Sequence, residues 1–332
     1  MLWQDNIMGN ICLNVLIAVF LLQINLQIYG KSKKFKLEIY IYELVNMHYI
    51  KAKTILSKNN GMNLYRGCSH GCIYCDSRSK IYGMDHDFLD IEVKENAVEL
   101  LKAELKKRPK AMIGTGSMTD PYIPLEKELN YMGKVLKLIL NYGFGFTCIT
   151  KSDLILRDLN LLKKINEKTK VVVQMTITSH NDELSKILEP NVCVTSKRIE
   201  ALEKLNKENI PTVVWLTPIL PYINDNEENI NKIIDACIKT NVKGIICFNM
   251  GLTLRVGNRE YFYSQLDKHF PSLKEKYINK FGNRYVIQSP NNRTLMGLFK
   301  KRTNENNILN KPDEIFNYLR KFPEKTYQTT LF

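Results

Sequence analysis

The alternation of apolar and polar positions changes character near residue 47. Upstream, residues 11–22 (ICLNVLIAVFLL) make one apolar run, which residues 23–28 extend with Gln and Asn interruptions. Downstream, short apolar runs alternate with longer amphipathic stretches. The short runs predict strands over 62–65, 111–113, 144–149, 171–177, 212–216 and 244–248. Between them Ala97, Val98, Leu101 and Leu105 recur at three- and four-residue spacing, as do Ile230, Ile233, Ile234, Cys237 and Ile238. That is the period of a helix burying one face. Asp225 followed by Glu228 predicts a capping box at the start of the second of these helices. Six strand–helix repeats imply a parallel sheet and an α/β fold. Beyond about residue 256 the pattern turns helical and irregular and ends in a polar tail.

In such sheets functional groups gather at the C-terminal ends of the strands. Here those ends carry polar or turn-forming residues at 67–75, 114–120, 150–151, 178–179, 217–218 and Asn249. One end of the sheet is therefore expected to hold the chemistry.

The upstream run is shorter than the ~20 apolar residues of a spanning helix. As a signal peptide it lacks a Lys or Arg before the run and a small-residue cleavage site after it. Two readings of residues 1–46 stay open. One is a weak anchor, with Lys31, Lys33, Lys34 and Lys36 keeping the remainder cytoplasmic. The other is a misread start, with translation beginning at Met47. On either reading the catalytic part, 47–255, and its extension, 256–332, are expected in the cytoplasm. A net charge of +14 favours polyanions. Lys outnumbers Arg 37 to 11 in an Asn- and Ile-rich chain, however, so the charge reads as general composition and decides little.

Of eight cysteines, Cys12, Cys148, Cys193, Cys237 and Cys247 are scattered. Cys148, Cys237 and Cys247 fall on apolar faces and read as buried free thiols. Nothing suggests a disulfide framework, which fits a reducing compartment. Cys68, Cys72 and Cys75 are different. The CxxxCxxC spacing lets three thiolates reach three irons of a 4Fe-4S cube and leaves the fourth iron open. A structural zinc would want a fourth ligand. The next cysteine is 73 residues on, and His70 lies inside the tight first gap. Gly67, Ser69, Gly71 and Asp76 mark a loop, which argues against a chance group of core cysteines.

With Tyr74 between the second and third cysteines, CSHGCIYC is similar to the loop of radical S-adenosylmethionine (SAM) enzymes, in which an aromatic residue lies against the SAM adenine. From about residue 47 to about 300, the order MNLYRGCSHGCIYCDSRS, GTGSMTDPY, ITKSDL, TPILPYINDNEEN and GLTLR resembles the spore photoproduct lyase-like family. The resemblance implies a partial (β/α)6 TIM-type barrel with a mainly helical C-terminal extension. It implies a 4Fe-4S cluster on Cys68, Cys72 and Cys75, with SAM cleaved to a 5′-deoxyadenosyl radical after reduction by a donor such as flavodoxin or ferredoxin. It further implies that Gly114, Thr115 and Gly116 make the methionine-binding turn. Thr119 and Lys151 would hold the polar groups of SAM, and Thr178 or Ser179 would bond the ribose. Asp120 and Tyr122 are expected in the same mouth as candidate substrate contacts.

Two residues depart from the family. Ser117 stands where spore photoproduct lyases carry the cysteine that returns a hydrogen atom, and Asp76 stands where they carry a tyrosine. A serine O–H bond is too strong for that donation. A sister activity is expected instead: a lyase-type radical reaction in DNA lesion repair or modification. A peptide, protein or small-molecule substrate is the alternative, followed by a zinc-dependent nucleic-acid-binding module without catalysis. The last five residues, QTTLF, resemble the Q-x-x-L-F peptide by which bacterial repair and replication proteins dock on the DNA sliding clamp. Gln328, Leu331 and Phe332 would be its contacts, two of them apolar anchors on a tail. The other reading is that Leu331 and Phe332 fold back onto the core.

Overall fold

The computed structural model describes residues 47–323. The upstream apolar run and the tail with Gln328, Leu331 and Phe332 lie outside the described residues. Among the described residues no helix is long and apolar enough to cross a membrane.

The chain begins with β1 (Met47–Ile50), β2 (Gly61–Met62), β3 (Tyr65–Arg66) and β4 (Ile91–Lys94), followed by α1 (Ala97–Lys107) and β5 (Met112–Thr115). A short α2 (Glu126–Leu129) leads into α3 (Tyr131–Tyr142), β6 (Gly145–Thr150), α4 (Leu159–Lys168) and β7 (Val171–Thr176). Then come α5 (Asp182–Leu188), α6 (Thr195–Lys207), β8 (Thr212–Trp215), α7 (Glu227–Lys239) and β9 (Gly244–Ile246). The remainder is β10 (Gly251–Thr253), α8 (Asn258–His269), α9 (Leu273–Phe281), β11 (Val286–Gln288), α10 (Asn292–Glu305) and α11 (Pro312–Arg320).

Six strands form the main sheet in the order β2-β5-β6-β7-β8-β9, each neighbouring pair parallel. This is the expected α/β architecture, a partial (β/α)6 barrel with a mainly helical extension. Its strands are apolar runs because helices cover the sheet; all six residues of β7 are buried. The helical periodicities hold. Ala97, Leu101 and Leu105 are buried on α1, and Ile230, Ile233, Ile234 and Cys237 on α7. Each such Leu or Ile contributes ~1.5–3 kcal/mol by leaving water.

Two expectations are corrected, and one feature is new. The run at 62–65 is two strands, not one: β2 joins the main sheet, and β3 turns away to pair antiparallel with β4. The α7 cap is Asn226, whose side chain accepts from Asn229 N at 2.9 Å. Asp225 lies just outside, accepting from Ser289 Oγ at 2.5 Å and Tyr222 N at 2.6 Å, so it ties the extension to the barrel instead of capping the helix. Finally, β1, β4 and β3 form a second sheet that the apolar pattern did not announce, since its strands carry His48, Arg66 and Glu92.

The extension is packed against the barrel mouth. Leu252, Leu254, Phe262, Leu266, Tyr277, Phe281 and Ile287 share one buried cluster with Cys72, Ile73 and Tyr74. Strand β10, just before the extension, pairs antiparallel with β11 within it.

Candidate active site

The loop from Cys68 to Cys75 follows β3 and is strapped from two sides. Cys68 N donates to Phe88 O at 3.1 Å, and Ile73 N to Leu188 O at 2.9 Å. Asn191 donates twice, from its backbone N to His70 O at 3.1 Å and from Nδ2 to Ser69 O at 2.8 Å. Cys68 and Cys72 are buried and Cys75 is half-buried. Burial pushes the Cys68 thiol up to about 12 and raises that of Cys72 as well. Such thiols ionise only if a cation joins them, and a coordinating metal deprotonates a thiol outright.

The donor set suits a cluster better than one ion. Sulfurs sharing a tetrahedral zinc stand about 3.8 Å apart. Among the described residues, the trio of His, Cys, Asp or Glu ligand atoms lying within 4.8 Å of one another is His48, His86 and Glu92, not the cysteines. His70 is buried, with Nδ1 3.4 Å from Asp120 Oδ2 and a further hydrogen bond to the Tyr122 backbone. Its ring is therefore already engaged. Around the loop, Ser69 Oγ and the Arg78 Nε and Nη2 atoms are buried without a hydrogen-bond partner among the described residues. The Arg78 guanidinium lies between two rings, 4.6 Å from the centroid of Phe88 and 3.9 Å from that of Tyr261. These open donors leave room for a bound group.

Behind the loop runs a buried charge network. The Tyr74 hydroxyl donates to Glu189 Oε1. Glu189 Oε2 lies 2.5 Å from Arg198 Nη1, both side chains almost wholly enclosed. Arg198 also donates to Thr176 O at 3.1 Å and, from Nε and Nη2, to Cys193 O at 2.9 and 2.8 Å. Lys151 stands with Nζ 5.9 Å from the Tyr74 ring centroid. Burial alone would lower its pKa, but Cys72, Glu189 and Asp120 outweigh that and hold it above the usual lysine value. It is thus a fixed cation beside the cysteine loop, not a freely solvated surface lysine.

The remaining sequence-derived residues sort by position. Gly114 and Thr115 belong to β5, and only Gly116 makes the turn. Gly116 has φ +97°, and a Cβ there would meet Ile149 O at 2.1 Å, so no other residue fits. Thr119 is buried at this end of the sheet. Thr178 is buried with Oγ1 3.5 Å from Glu189 Oε1, inside the network. The Ser179 hydroxyl instead closes a turn with Asn181. Asp120 and Tyr122, the candidate substrate contacts, are engaged within the protein. Asp120 accepts from Thr150 Oγ1 and Lys151 N at 2.8 Å each and from Tyr122 N at 2.9 Å. Tyr122 has no exposed surface, and its hydroxyl donates to Asp158 at 3.2 Å. Asp120, partly buried, spends its oxygens on the end of β6 and on Tyr122, and Tyr122 has no surface left for a substrate.

The sequence matches the Radical SAM superfamily over residues 62–234, slightly more than half of its 332 residues. The chain belongs to the radical SAM superfamily. Members of this superfamily are enzymes, and membership implies a 4Fe-4S cluster and SAM. An uncharacterised protein of Mycobacterium tuberculosis is 24% identical over 257 residues, covering 71% of this chain and 74% of the relative. An uncharacterised protein of Methanocaldococcus jannaschii is 34% identical over 168 residues, covering 50% of this chain and 62% of the relative. Among solved structures, a spore photoproduct lyase point mutant superposes with a TM-score of 0.57 at 14% identity, covering 81% of this chain and 82% of the other. A doubly substituted spore photoproduct lyase with bound AdoMet and dinucleoside spore photoproduct superposes with a TM-score of 0.55 at 13% identity, covering 81% and 82%. At these identities the likeness shows a shared fold.

Within that fold, Ser117 is exposed. Asp76 accepts from Tyr82 Oη at 3.0 Å and lies 3.5 Å from Arg255 Nε, the arginine of the GLTLR motif. Glu189, Asn191, Arg198 and Arg78 are the site residues that sequence reading missed.

Proposed function

We propose that Cys68, Cys72 and Cys75 hold a 4Fe-4S cluster at which SAM is cleaved, and that the substrate is nucleic acid, a DNA lesion or modified base before others. When bound, the cluster would supply the electron that splits SAM into methionine and a 5′-deoxyadenosyl radical. The chain's own residues bind, orient and shield. Lys151 offers a fixed cation to the SAM carboxylate, and Gly116 lets the backbone approach the methionine end. Tyr74, its hydroxyl tied to Glu189, presents a ring to the adenine, and Thr178 is the better placed of the two ribose candidates. The extension packed over Ile73 and Tyr74 keeps water from a radical that would otherwise be quenched.

The observation that carries the substrate reading is Arg78. It is a stacked guanidinium three residues after Cys75, with two buried N–H groups that no acceptor among the described residues meets. A phosphate or base edge is a natural partner for such a group. The spore photoproduct lyase fold supports the same reading. Ser117 and Asp76 argue against hydrogen return by that enzyme's route, so a sister reaction is proposed. A flavodoxin or ferredoxin would supply the electron, and residues 328–332 would dock on the sliding clamp.

Anaerobic protein should show iron–sulfur absorbance and about four irons per chain. Added DNA oligonucleotides should raise 5′-deoxyadenosine formation above the basal rate, and Arg78→Ala should remove that stimulation. Stimulation by peptides and not by DNA would overturn the substrate while leaving the cluster assignment standing. Zinc without iron would overturn both.

A further inference from the structure

A second group of ligating side chains stands apart from the cysteines, on the sheet formed by β1, β4 and β3. Register places His48 beside Glu92, and Glu92 beside Arg66, in one row across its three strands. His86, from the loop before β4, reaches the same row. Ligand atoms of His48, His86 and Glu92 all lie within 4.8 Å of one another. The two imidazoles meet edge to face with centroids 5.0 Å apart.

Each imidazole is oriented through Nδ1. His48 Nδ1 lies 2.9 Å from Asp90 Oδ1. His86 Nδ1 lies 3.0 Å from Asp87 O and 3.6 Å from Asp90 Oδ2. Oxygen acceptors on Nδ1 place the proton there and turn the Nε2 lone pair outward, the arrangement that outer carboxylates impose on metal-binding histidines. Yet His86 Nε2 lies 2.8 Å from Glu92 Oε1. At that distance the two atoms share a proton; a metal ion replacing it would hold the same nitrogen and oxygen at the slightly wider spacing of about 3.3 Å that two ligands of one tetrahedral ion take. Glu92 is largely buried and further held by Arg66 Nη1 at 3.2 Å, which balances one of the two carboxylates.

We propose that His48 Nε2, His86 Nε2 and Glu92 bind a divalent zinc-type cation, with Asp90 orienting His48 and a fourth position open to water. Two imidazoles and a carboxylate are a borderline donor set suited to such ions. The ion would fasten the loop carrying His86 and Phe88 to the sheet. That loop backs the cysteine loop directly: Phe88 O accepts from Cys68 N, and a Cβ on Gly67, at φ +85°, would meet Phe88 O at 2.7 Å. The site would therefore brace the first cysteine from behind.

Iron-loaded protein is equilibrated with zinc sulfate at about ten micromolar free ion and gel-filtered, and both metals are counted per chain. One zinc per chain is expected beside unchanged iron. His86→Ala and Glu92→Gln should each lose the zinc and keep the iron. Asp90→Asn should weaken zinc affinity by roughly 10–100-fold. Zinc X-ray absorption on the unaltered protein gives a reading independent of any variant's folding. A first shell of nitrogen and oxygen without sulfur is expected. Sulfur in that shell, no retained zinc, or equal zinc in the wild type and His86→Ala would each overturn the site.

Discussion

At the scale of single residues, the cysteines divide by surroundings. Cys72→Ala should abolish both the cluster and SAM cleavage, because His70, the nearest other ligand type, is already engaged by Asp120 and Tyr122. Cys237→Ala should cost only about 1 kcal/mol of packing and leave iron content unchanged; iron analysis beside a melting curve reads both. The Glu189–Arg198 pair makes a sharper prediction. Burial pushes the Glu189 carboxyl up, but Arg198 and Lys151 outweigh it, so it titrates below the usual carboxylate range. Its stabilisation is complete above the unfolded value of about 4.3 and is lost as pH falls through the folded one. Arg198→Ala should cost ~3–5 kcal/mol at pH 7, since it strands a buried carboxylate. With the arginine gone, burial drives the carboxyl upward, so the deficit should narrow as pH falls from 7 to 5. A deficit independent of pH in thermal melts would rule the linkage out. The division of the cysteines was legible in the sequence; the Glu189 network was not. Tyr74 and Glu189 are separated by 115 positions, and only the fold brings them together.

At the scale of elements, what was legible follows from burial. Strands covered on both sides are apolar runs, so five of the six main-sheet strands stood out, within a residue or two at their ends. The run at 62–65 misled because apolar character cannot tell which sheet a residue joins. Strands β1 and β4 escaped notice because their sheet carries a polar row, and period-two patterning is weak over four residues. The turn after β5 offers a test at this scale. Gly116→Ala places a methyl group against Ile149 O, a contact of 2.1 Å that neither backbone can relieve. The variant should separate β5 from β6 at their C-terminal ends, lower stability by roughly 2 kcal/mol or more, and weaken SAM binding at least tenfold. Unchanged SAM affinity in an equilibrium titration would remove Gly116 from the binding turn.

At the scale of the whole molecule, the described fold starts at Met47, and its last helix, α11, ends at Arg320. A chain beginning at Met47 should therefore fold and hold its cluster; insolubility, with the longer chain stable in membranes, would establish an anchor. A chain ending at residue 323 should melt like the full one and cleave SAM equally, yet lose affinity for a purified sliding clamp. A lowered melting temperature with no clamp binding by the intact chain would favour a tail folded onto the core.

Most of the side chains that share a buried cluster with Cys72 and Tyr74, from Leu252 to Ile287, come late in the chain, after Leu188 and Leu220. On a ribosome adding about 5–20 residues per second, they emerge roughly 10–40 s after the cysteines. Throughout that interval the cysteine loop lies on a nascent chain whose cover is incomplete. If the loop takes up iron as proposed, it could do so during synthesis, before the last quarter of the sequence completes its cover.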